Sequence, residues 1–248
     1  MYRLLCVFLA TLAFTVPSVA SDEEDEGPGL ILDTFITTYE VTETGLLGQY
    51  AYVDLGLPVI WATANIGADS LTADGMVFAW GEYIQNNEYD WKNYKHSKDS
   101  TTFITKYCLN ADDGQVDSLT TLEPTDDAAT ILWGKDWQTP TASDFHQLKV
   151  SCIWQWVDDL NGTGASGMLG TSRLNGCTIF LPATEYEEED EKMVKEGWYW
   201  TATLGTGEKG TAAQFFFKNK GEGLGCVQTP RCYGRHIRAV MKPDENNF

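Results

Sequence analysis

Residues 121–156 read TLEPTDDAATILWGKDWQTPTASDFHQLKVSCIWQW, and this stretch predicts two short helices in the middle of the chain. In the first helix, Thr125 is expected to cap the amino terminus because its hydroxyl can accept from a backbone N–H of the first turn. Asp126 and Asp127 would then lie beside the positive end of the helix dipole. Gly134 is expected to end this helix after about two turns.

The second helix follows Pro140, which biases the residue before it away from helical angles. Thr141 is expected to cap this helix, and Asp144 stands three residues later in a capping-box position. Apolar side chains then recur at helical spacing. They are Phe145, Leu148 and Cys152.

Short segments rich in β-branched and aromatic residues surround the two helices and predict strands. They are residues 52–63, 76–81, 176–182, 197–203, 212–218 and 235–241. Segment 176–182 has the pattern of a central strand, and the glycine-rich residues 205–210 predict a hairpin turn. The acidic residues 185–196 have helix-compatible composition and predict a solvated surface insertion. The fold class is therefore predicted to be α+β.

The charge of the chain restricts its partners. The 248 residues include 36 acidic and 17 basic ones, for a formal net charge of −19. Nucleic acid and anionic membranes attract basic patches, so this composition argues against both as partners. The length allows one large or two small domains.

The amino terminus has the features of a secretory signal peptide. A single Arg3 precedes an apolar run at 4–16 that is too short to span a bilayer, and small residues at 18–20 predict cleavage after Ala20. An acidic spacer and an N-terminal arm follow at 21–47, and Leu30 to Val41 predicts an isolated strand or an extended arm on the domain. The domain is expected at 48–243 and a tail at 244–248. The mature protein should be exported and soluble.

Five cysteines remain after the predicted cleavage. They are Cys108, Cys152, Cys177, Cys226 and Cys232. Cys152 and Cys177 lie in apolar patterns and are expected to be buried thiols. Cys226 and Cys232 could bridge the ends of a loop, and pairing of either one with Cys108 stays open.

A series of short motifs resembles the Fibrobacter succinogenes major paralogous domain. The motifs are YVDLGLP at 52–58, WAT at 61–63, FAWGE at 78–82, DDAA at 126–129, WQTPT at 137–141, WQW at 154–156, IFLPA at 179–183, GWYW at 197–200 and GRHIRAV at 234–240. The resemblance covers residues 48–242, and the sequence departs from the family at Val59, Ala64, Ile66 and 201–203. That family is abundant in secreted and surface proteins of gut Bacteroidetes.

The resemblance implies a C-type lectin-like fold. Two short helices would pack on a twisted antiparallel sheet, the first and last strands would pair, and long loops would form a binding face. It also implies export to the outside of a bacterial cell.

The motifs of known metal sites are absent from the sequence. Glu123-Pro124-Thr125 resembles a sugar-lectin calcium motif, but it precedes the first helix and the predicted cap explains it more simply. Asp112-Asp113 and the run 187–190 supply oxygen ligands without the spacing of a calcium loop. His96, His146 and His236 lack zinc spacing. We therefore expect no metal and no cofactor.

An enzymatic alternative rests on Cys226 and Cys232. The formylglycine-generating enzymes share a lectin-like fold and use two closely spaced cysteines with copper. Here five residues separate the pair where that family has four, and the surrounding motif differs. Finding no tight copper(I) binding would remove this alternative. We expect no catalytic residues.

Aromatic and polar residues near the carboxyl end predict a binding face. Most of the nine tryptophans have core patterns, namely Trp61, Trp80, Trp133, Trp137, Trp154 and Trp200. Trp198 and Tyr199 alternate faces, so one of the two should be exposed. The predicted ligand-binding residues are Trp91, Trp198, Lys218, Asn219, Lys220, Glu222, Gln228, Arg231 and Tyr233.

The sequence therefore predicts a secreted or surface-exposed, non-catalytic domain that binds an extracellular glycan, peptide or protein. One alternative is a cell-envelope or fimbria-like structural subunit that would donate the arm Leu30 to Val41.

Overall fold

A computed structural model of the chain describes residues 38–98, 103–187, 193–218 and 223–242. The predicted signal peptide, the acidic spacer at 21–29 and the tail at 244–248 lie outside these residues, as does most of the arm. Neither helix within the described ranges combines the length and the apolar character needed to cross a membrane.

The largest sheet is built from consecutive antiparallel strands near the carboxyl end. Its strands are β9 (Thr184–Glu187), β10 (Met193–Leu204), β11 (Thr211–Lys218) and β12 (Gly225–Pro230), in the order β12-β11-β10-β9. The predicted hairpin is confirmed, since β10 pairs with β11 and the register joins Trp198 to Phe216. This sheet carries three of the residues that were predicted to bind a ligand, namely Trp198, Lys218 and Gln228.

A second four-stranded sheet joins the beginning and the end of the domain. It contains β1 (Gly45–Leu47), β2 (Tyr50–Val53), β3 (Ile60–Ala62) and β13 (Val240–Met241), in the order β1-β2-β3-β13. The last strand pairs with β3, while β1 lies at the far edge, so the expectation that the first and last strands pair with each other is wrong. Because β1 begins at Gly45, regular structure starts before residue 48.

Two smaller sheets contain the remaining strands. Their members are β4 (Ser97–Lys98) with β5 (Phe103–Ile104), and β6 (Cys152–Val157), β7 (Gly167–Ser172) and β8 (Thr178–Pro182). Strand β7 is central, so the prediction of a central strand at 176–182 is wrong for this sheet. Strand β8 is nevertheless buried from Ile179 onward, which explains its apolar pattern.

The helices are α1 (Ala128–Trp133) and α2 (Ala142–Ser151). The capping box of Thr141 and Asp144 is confirmed. The predicted cap of α1 is wrong, because Asp127 rather than Thr125 accepts from the backbone N–H of Ala129. Gly134 follows the last residue of α1, as predicted. Cys152 leaves the helical pattern and begins β6.

Two further expectations are corrected. The acidic residues 185–196 were expected to form a solvated surface insertion, but residues 184–187 and 193–196 are antiparallel paired strands of the largest sheet, and Glu196 is buried. The last strand is restricted to Val240–Met241, because the chain before it makes only isolated bridges. His236, Arg238 and Val240 are buried, as are the apolar residues that alternate with them.

Helix α2 covers one side of β11 and forms the centre of the core. It buries Phe145 and Leu148, and the ring of Phe145 stacks on Phe215 with centroids 4.5 Å apart. A neighbouring cluster holds Trp80, Trp137 and Trp200. Among the predicted core tryptophans, Trp133 and Trp154 are half-buried and pack against these clusters. The molecule is thus α+β, with mostly antiparallel sheets and two short helices.

The described end of the arm packs on its own domain. Tyr39 and Val41 contact a cluster that contains Leu160 and Phe180. Just beyond, the backbone N–H of Thr42 donates to Oγ1 of Thr178 at 2.9 Å.

Candidate functional site

The two long strands of the largest sheet place a row of aromatic and cationic side chains on one face. Trp198 and Phe216 are paired across β10 and β11, so both side chains project to the same side. Their ring centroids are 4.0 Å apart with 31° between the ring planes. The Lys218 ammonium lies 5.7 Å from the Phe216 ring centroid. Each of these contacts follows directly from the strand register.

The segment that precedes β13 extends this row. Cζ of Arg235 lies 4.8 Å from the Trp198 ring centroid and 5.3 Å from that of Tyr233. Both distances are within the range of cation–π contacts. We name the five residues Trp198, Phe216, Lys218, Tyr233 and Arg235 the aromatic face.

Hydrogen bonds hold the aromatic face in place. Nε of Arg235 donates to Oε1 of Gln214 at 2.7 Å, and Nη1 donates to the carbonyl of Gly234 at 2.9 Å. Lys218 forms an ion pair of 3.2 Å with Glu196, whose side chain is 2 % exposed. Burial lowers the pKa of Arg235, but an arginine stays protonated at physiological pH. The cations of this face are therefore fixed before any ligand arrives.

The aromatic face is only partly covered by the protein. Tyr233 is 44 % exposed and Trp198 is half-buried, whereas Tyr199, which follows on the opposite side of β10, is fully buried. The alternation between Trp198 and Tyr199 was predicted, and the structure shows which of the two reaches the surface. Val227 continues the exposed apolar surface on β12.

The predicted ligand-binding residues divide between two places. Trp198, Lys218 and Tyr233 meet at the aromatic face. Trp91, Gln228 and Arg231 instead surround the turn between β10 and β11. Asn219, Lys220 and Glu222 lie outside the described residues. The sequence pattern did not single out Phe216 and Arg235. The predicted pairing of the strands at 197–203 and 212–218 could have indicated Phe216, whereas Arg235 lies outside the strands of this sheet.

Gln228 and Trp91 support the turn from two sides. Oε1 of Gln228 accepts from the backbone N–H of Gly207 at 3.0 Å and from Oγ1 of Thr211 at 3.2 Å. Trp91 packs against Gly210, where a Cβ atom would lie 2.4 Å from the indole ring. Gly210 also has a φ of 69°, which favours glycine.

Arg231 is almost completely buried. Its side chain lies between the rings of Trp80 and Tyr94, whose centroids are 5.6 and 5.8 Å from Cζ, and the residue is 1 % exposed. Aromatic packing on a planar guanidinium explains why this polar loop residue is buried. Arg231 does not belong to the aromatic face.

A groove runs between α2 and β12. Its volume is about 630 Å³, and it is lined by Ala142, Ser143, His146, Lys149, Phe215 and residues 223–227. Cys226 is an exposed residue that lines this groove, and partial burial of its sulfur against the groove raises the thiol pKa. A raised pKa keeps the thiol protonated at neutral pH and disfavours it as a nucleophile.

Cys226 and Cys232 occupy different surroundings. Cys232 is buried with Ala79 and Tyr94, away from the groove. In the described part of the chain, Cys108, Cys152, Cys226 and Cys232 are free thiols. Cys152 and Cys177 are buried in the main core, as was expected for both.

An ionic cluster around Asp126 was not predicted. Lys95 Nζ lies 2.7 Å from Oδ1 of Asp126, and the Tyr107 hydroxyl donates to Oδ2 at 2.8 Å. Lys106 pairs with both Asp126 and Glu123. Burial alone would raise the pKa of Asp126, but hydrogen bonds from Lys106, Lys95 and Tyr107 outweigh it and lower the pKa to about 2. Asp126 is thus a fixed anion that ties the loop at 82–122 to the beginning of α1.

Histidines and acidic residues do not converge on a metal-binding arrangement among the described residues. His96 lies 3.7 Å from Asp126, and burial lowers the pKa of His96 to about 4, so its ring is neutral at pH 7. His236 is buried and His146 lies in the groove beside α2.

No protein-family model, no curated protein and no solved structure matches the chain.

Proposed function

We propose that the protein is a secreted or surface-exposed, non-catalytic binding domain with a C-type lectin-like arrangement. Its aromatic face would recognise an extracellular polypeptide. The observation that carries this proposal is the preorganised stack of Trp198, Arg235 and Tyr233 on the outside of a long-stranded sheet. Tryptophan, tyrosine and arginine are the residues most enriched at binding hot spots.

The geometry favours a polypeptide over a neutral sugar. A sugar ring normally needs an uncovered aromatic ring to stack on, and here Phe216 and Arg235 both pack on the indole of Trp198. What remains is an aromatic edge beside the fixed guanidinium of Arg235, while Lys218 is already paired with Glu196. Such a surface complements acidic and aromatic side chains of a peptide.

The lectin-like arrangement is supported by two features. Strands from the beginning and the end of the domain share one sheet, and two short helices lie mid-chain. The fimbria-like alternative receives no such support, because Tyr39 and Val41 of the arm pack on their own domain.

Screening on protein, peptide and glycan arrays tests the function. The wild type is compared with the double variant Trp198→Ala/Tyr233→Ala. Trp156→Ala serves as a matched control, because Trp156 is also half-buried but lies on β6 in another sheet. We expect a peptide or protein signal that falls at least about tenfold in the double variant only. Signals that persist in the double variant, or signals on glycans alone, would contradict the proposal.

A further inference from the structure

A second cavity lies beside the turn between β10 and β11 and is separate from the aromatic face. Its volume is about 200 Å³. The cavity is lined by Ile104, Tyr107, Cys108, Leu109, Asn110, Asp113, the turn residues 205–210, Thr211 and Arg231. We name it the turn cavity. We propose that the turn cavity binds a small zwitterionic carboxylate of the α-amino acid class.

The first argument is the buried charge of Arg231. Among the described residues, its guanidinium donates hydrogen bonds only to neutral backbone carbonyls. Nη1 lies 3.3 Å from the carbonyl oxygen of Lys106 and 3.3 Å from that of Tyr107. Nε is buried with no hydrogen-bond partner. A buried cation without a counter-ion is costly, and a bound carboxylate would compensate it.

Comparison with Arg238 shows what distinguishes Arg231. Arg238 is also fully buried, and its Nη2 is likewise buried with no hydrogen-bond partner in the described part of the chain, but its guanidinium donates to the side chain of Asn65 and to three backbone carbonyls. Arg231 makes only two hydrogen bonds to described residues, both of 3.3 Å and both from Nη1, and it lines a cavity. Since a guanidinium has five N–H donors, Arg231 retains the larger unused capacity.

The second argument is the mixed charge at the mouth of the turn cavity. Lys209 Nζ lies 3.6 Å from Oδ1 of Asp113, so this pair joins the two walls. The exposed Glu208 adds a second carboxylate. The carboxylates would repel a simple anion but would attract an ammonium group. A ligand with a carboxylate toward Arg231 and an ammonium toward Asp113 and Glu208 satisfies both ends.

The third argument is size. A water molecule occupies roughly 30 Å³ in the liquid, so the cavity has the volume of about six or seven water molecules. A small amino acid such as alanine has a comparable number of heavy atoms.

Ligand-observed NMR with alanine tests the proposal, with acetate and ethylamine as probes that carry one charge each. We expect alanine to bind at about millimolar concentration and at least about tenfold more tightly than either single-charge probe. The proposal is overturned if alanine gives no signal at about 10 mM, or if acetate binds as tightly.

Variants locate the site. Thr206 is an exposed turn residue that lines the cavity. Thr206→Trp should obstruct the cavity with a bulky ring and weaken alanine binding at least about tenfold. Ser70→Trp, in another exposed loop, is the matched control and should bind within about twofold of wild type. Undiminished binding by a folded Thr206→Trp variant overturns the assignment.

Arg231→Lys keeps the charge but removes the guanidinium fork, and it should also weaken alanine binding. If that variant does not fold, alanine binding by Thr206→Trp still tests the proposal. Trp198→Ala/Tyr233→Ala should bind alanine normally, so failure of this site and failure of the aromatic face are distinguishable.

Discussion

Asp127 holds together the two motifs of the stretch at 121–156. Its Oδ1 accepts from the backbone N–H of Ala129 at 3.0 Å and from Oγ1 of Thr139 at 2.6 Å. Its Oδ2 accepts from the backbone N–H of Thr139 at 2.9 Å and from Oγ1 of Thr130 at 3.2 Å. One carboxylate therefore caps α1 and anchors the segment that leads to α2. We predict that Asp127→Ala strongly destabilises the domain.

The expected magnitude follows from these bonds. Loss of a helix cap costs about 1 kcal/mol. A buried donor left without a partner costs about 1–3 kcal/mol, and Thr139 would be left with an unpaired backbone N–H and an unpaired hydroxyl. Because such effects are not additive, we expect a total of about 3–5 kcal/mol. For a domain of this size, that loss lowers Tm by about 6–20 °C.

Urea denaturation of Asp127→Ala and Thr125→Ala measures the difference. Thr125 is exposed and does not cap α1, so its substitution should change the free energy of unfolding by less than about 0.5 kcal/mol. Asp127→Asn keeps the shape and one acceptor oxygen and should fall between the two. The reasoning is refuted if Asp127→Ala costs less than about 1 kcal/mol, or if Thr125→Ala costs as much.

Three further predictions follow from other parts of the molecule. The Asp126 carboxylate has a folded-state pKa of about 2, below its unfolded value of about 3.9, so its stabilisation is complete above pH 4 and is lost as pH falls toward 2. The stability difference between wild type and Asp126→Asn should therefore shrink in that window, and a difference independent of pH would contradict it. Gly210→Ala should cost about 2–5 kcal/mol, because strain at positive φ adds to a clash with Trp91, whereas Gly162→Ala, with positive φ but open space, should cost only about 1–2 kcal/mol. Equal losses in thermal unfolding would argue against the packing of Trp91. Ellman's reagent should label the exposed Cys226 in the native protein only slowly at neutral pH, because its raised pKa leaves little thiolate, and faster as pH rises; Cys226→Ser should remove that labelling, whereas a signal unchanged by the substitution would mean that another thiol is exposed.

Local patterns predicted the parts of the fold that depend on neighbours in sequence. The capping box joins Thr141 to Asp144 across three residues, so it is readable from the chain alone. The hairpin of β10 and β11 likewise needed only two apolar runs and a glycine-rich turn. The cap of α1 was missed because the Asp127 carboxylate is held in place by a hydrogen bond from Thr139. Thr139 is twelve residues away in sequence and comes close to Asp127 only in the folded chain.

In the candidate site too, the sequence predicted what depends on neighbouring residues and missed what depends on contacts between distant segments. Strand alternation predicted that one of Trp198 and Tyr199 would be exposed, but the choice depends on α2, which covers the other side of the sheet. Arg231 has the sequence surroundings of an exposed loop residue, and its burial follows from Trp80 and Tyr94, which are distant in sequence. The contribution of Arg235 could not be predicted either, because its stacking on Trp198 joins two segments that are not adjacent strands.

The affinity of the Tyr233→Ala variant for a polypeptide captured by the array screen tests the aromatic face most directly. Tyr233 is exposed and its removal should leave the fold intact, so a hot-spot loss of about 2 kcal/mol predicts a Kd about 30-fold weaker than wild type. Trp156→Ala should stay within about twofold of the wild-type value. A Tyr233→Ala variant that binds as tightly as wild type would contradict the proposal that the aromatic face is the binding site.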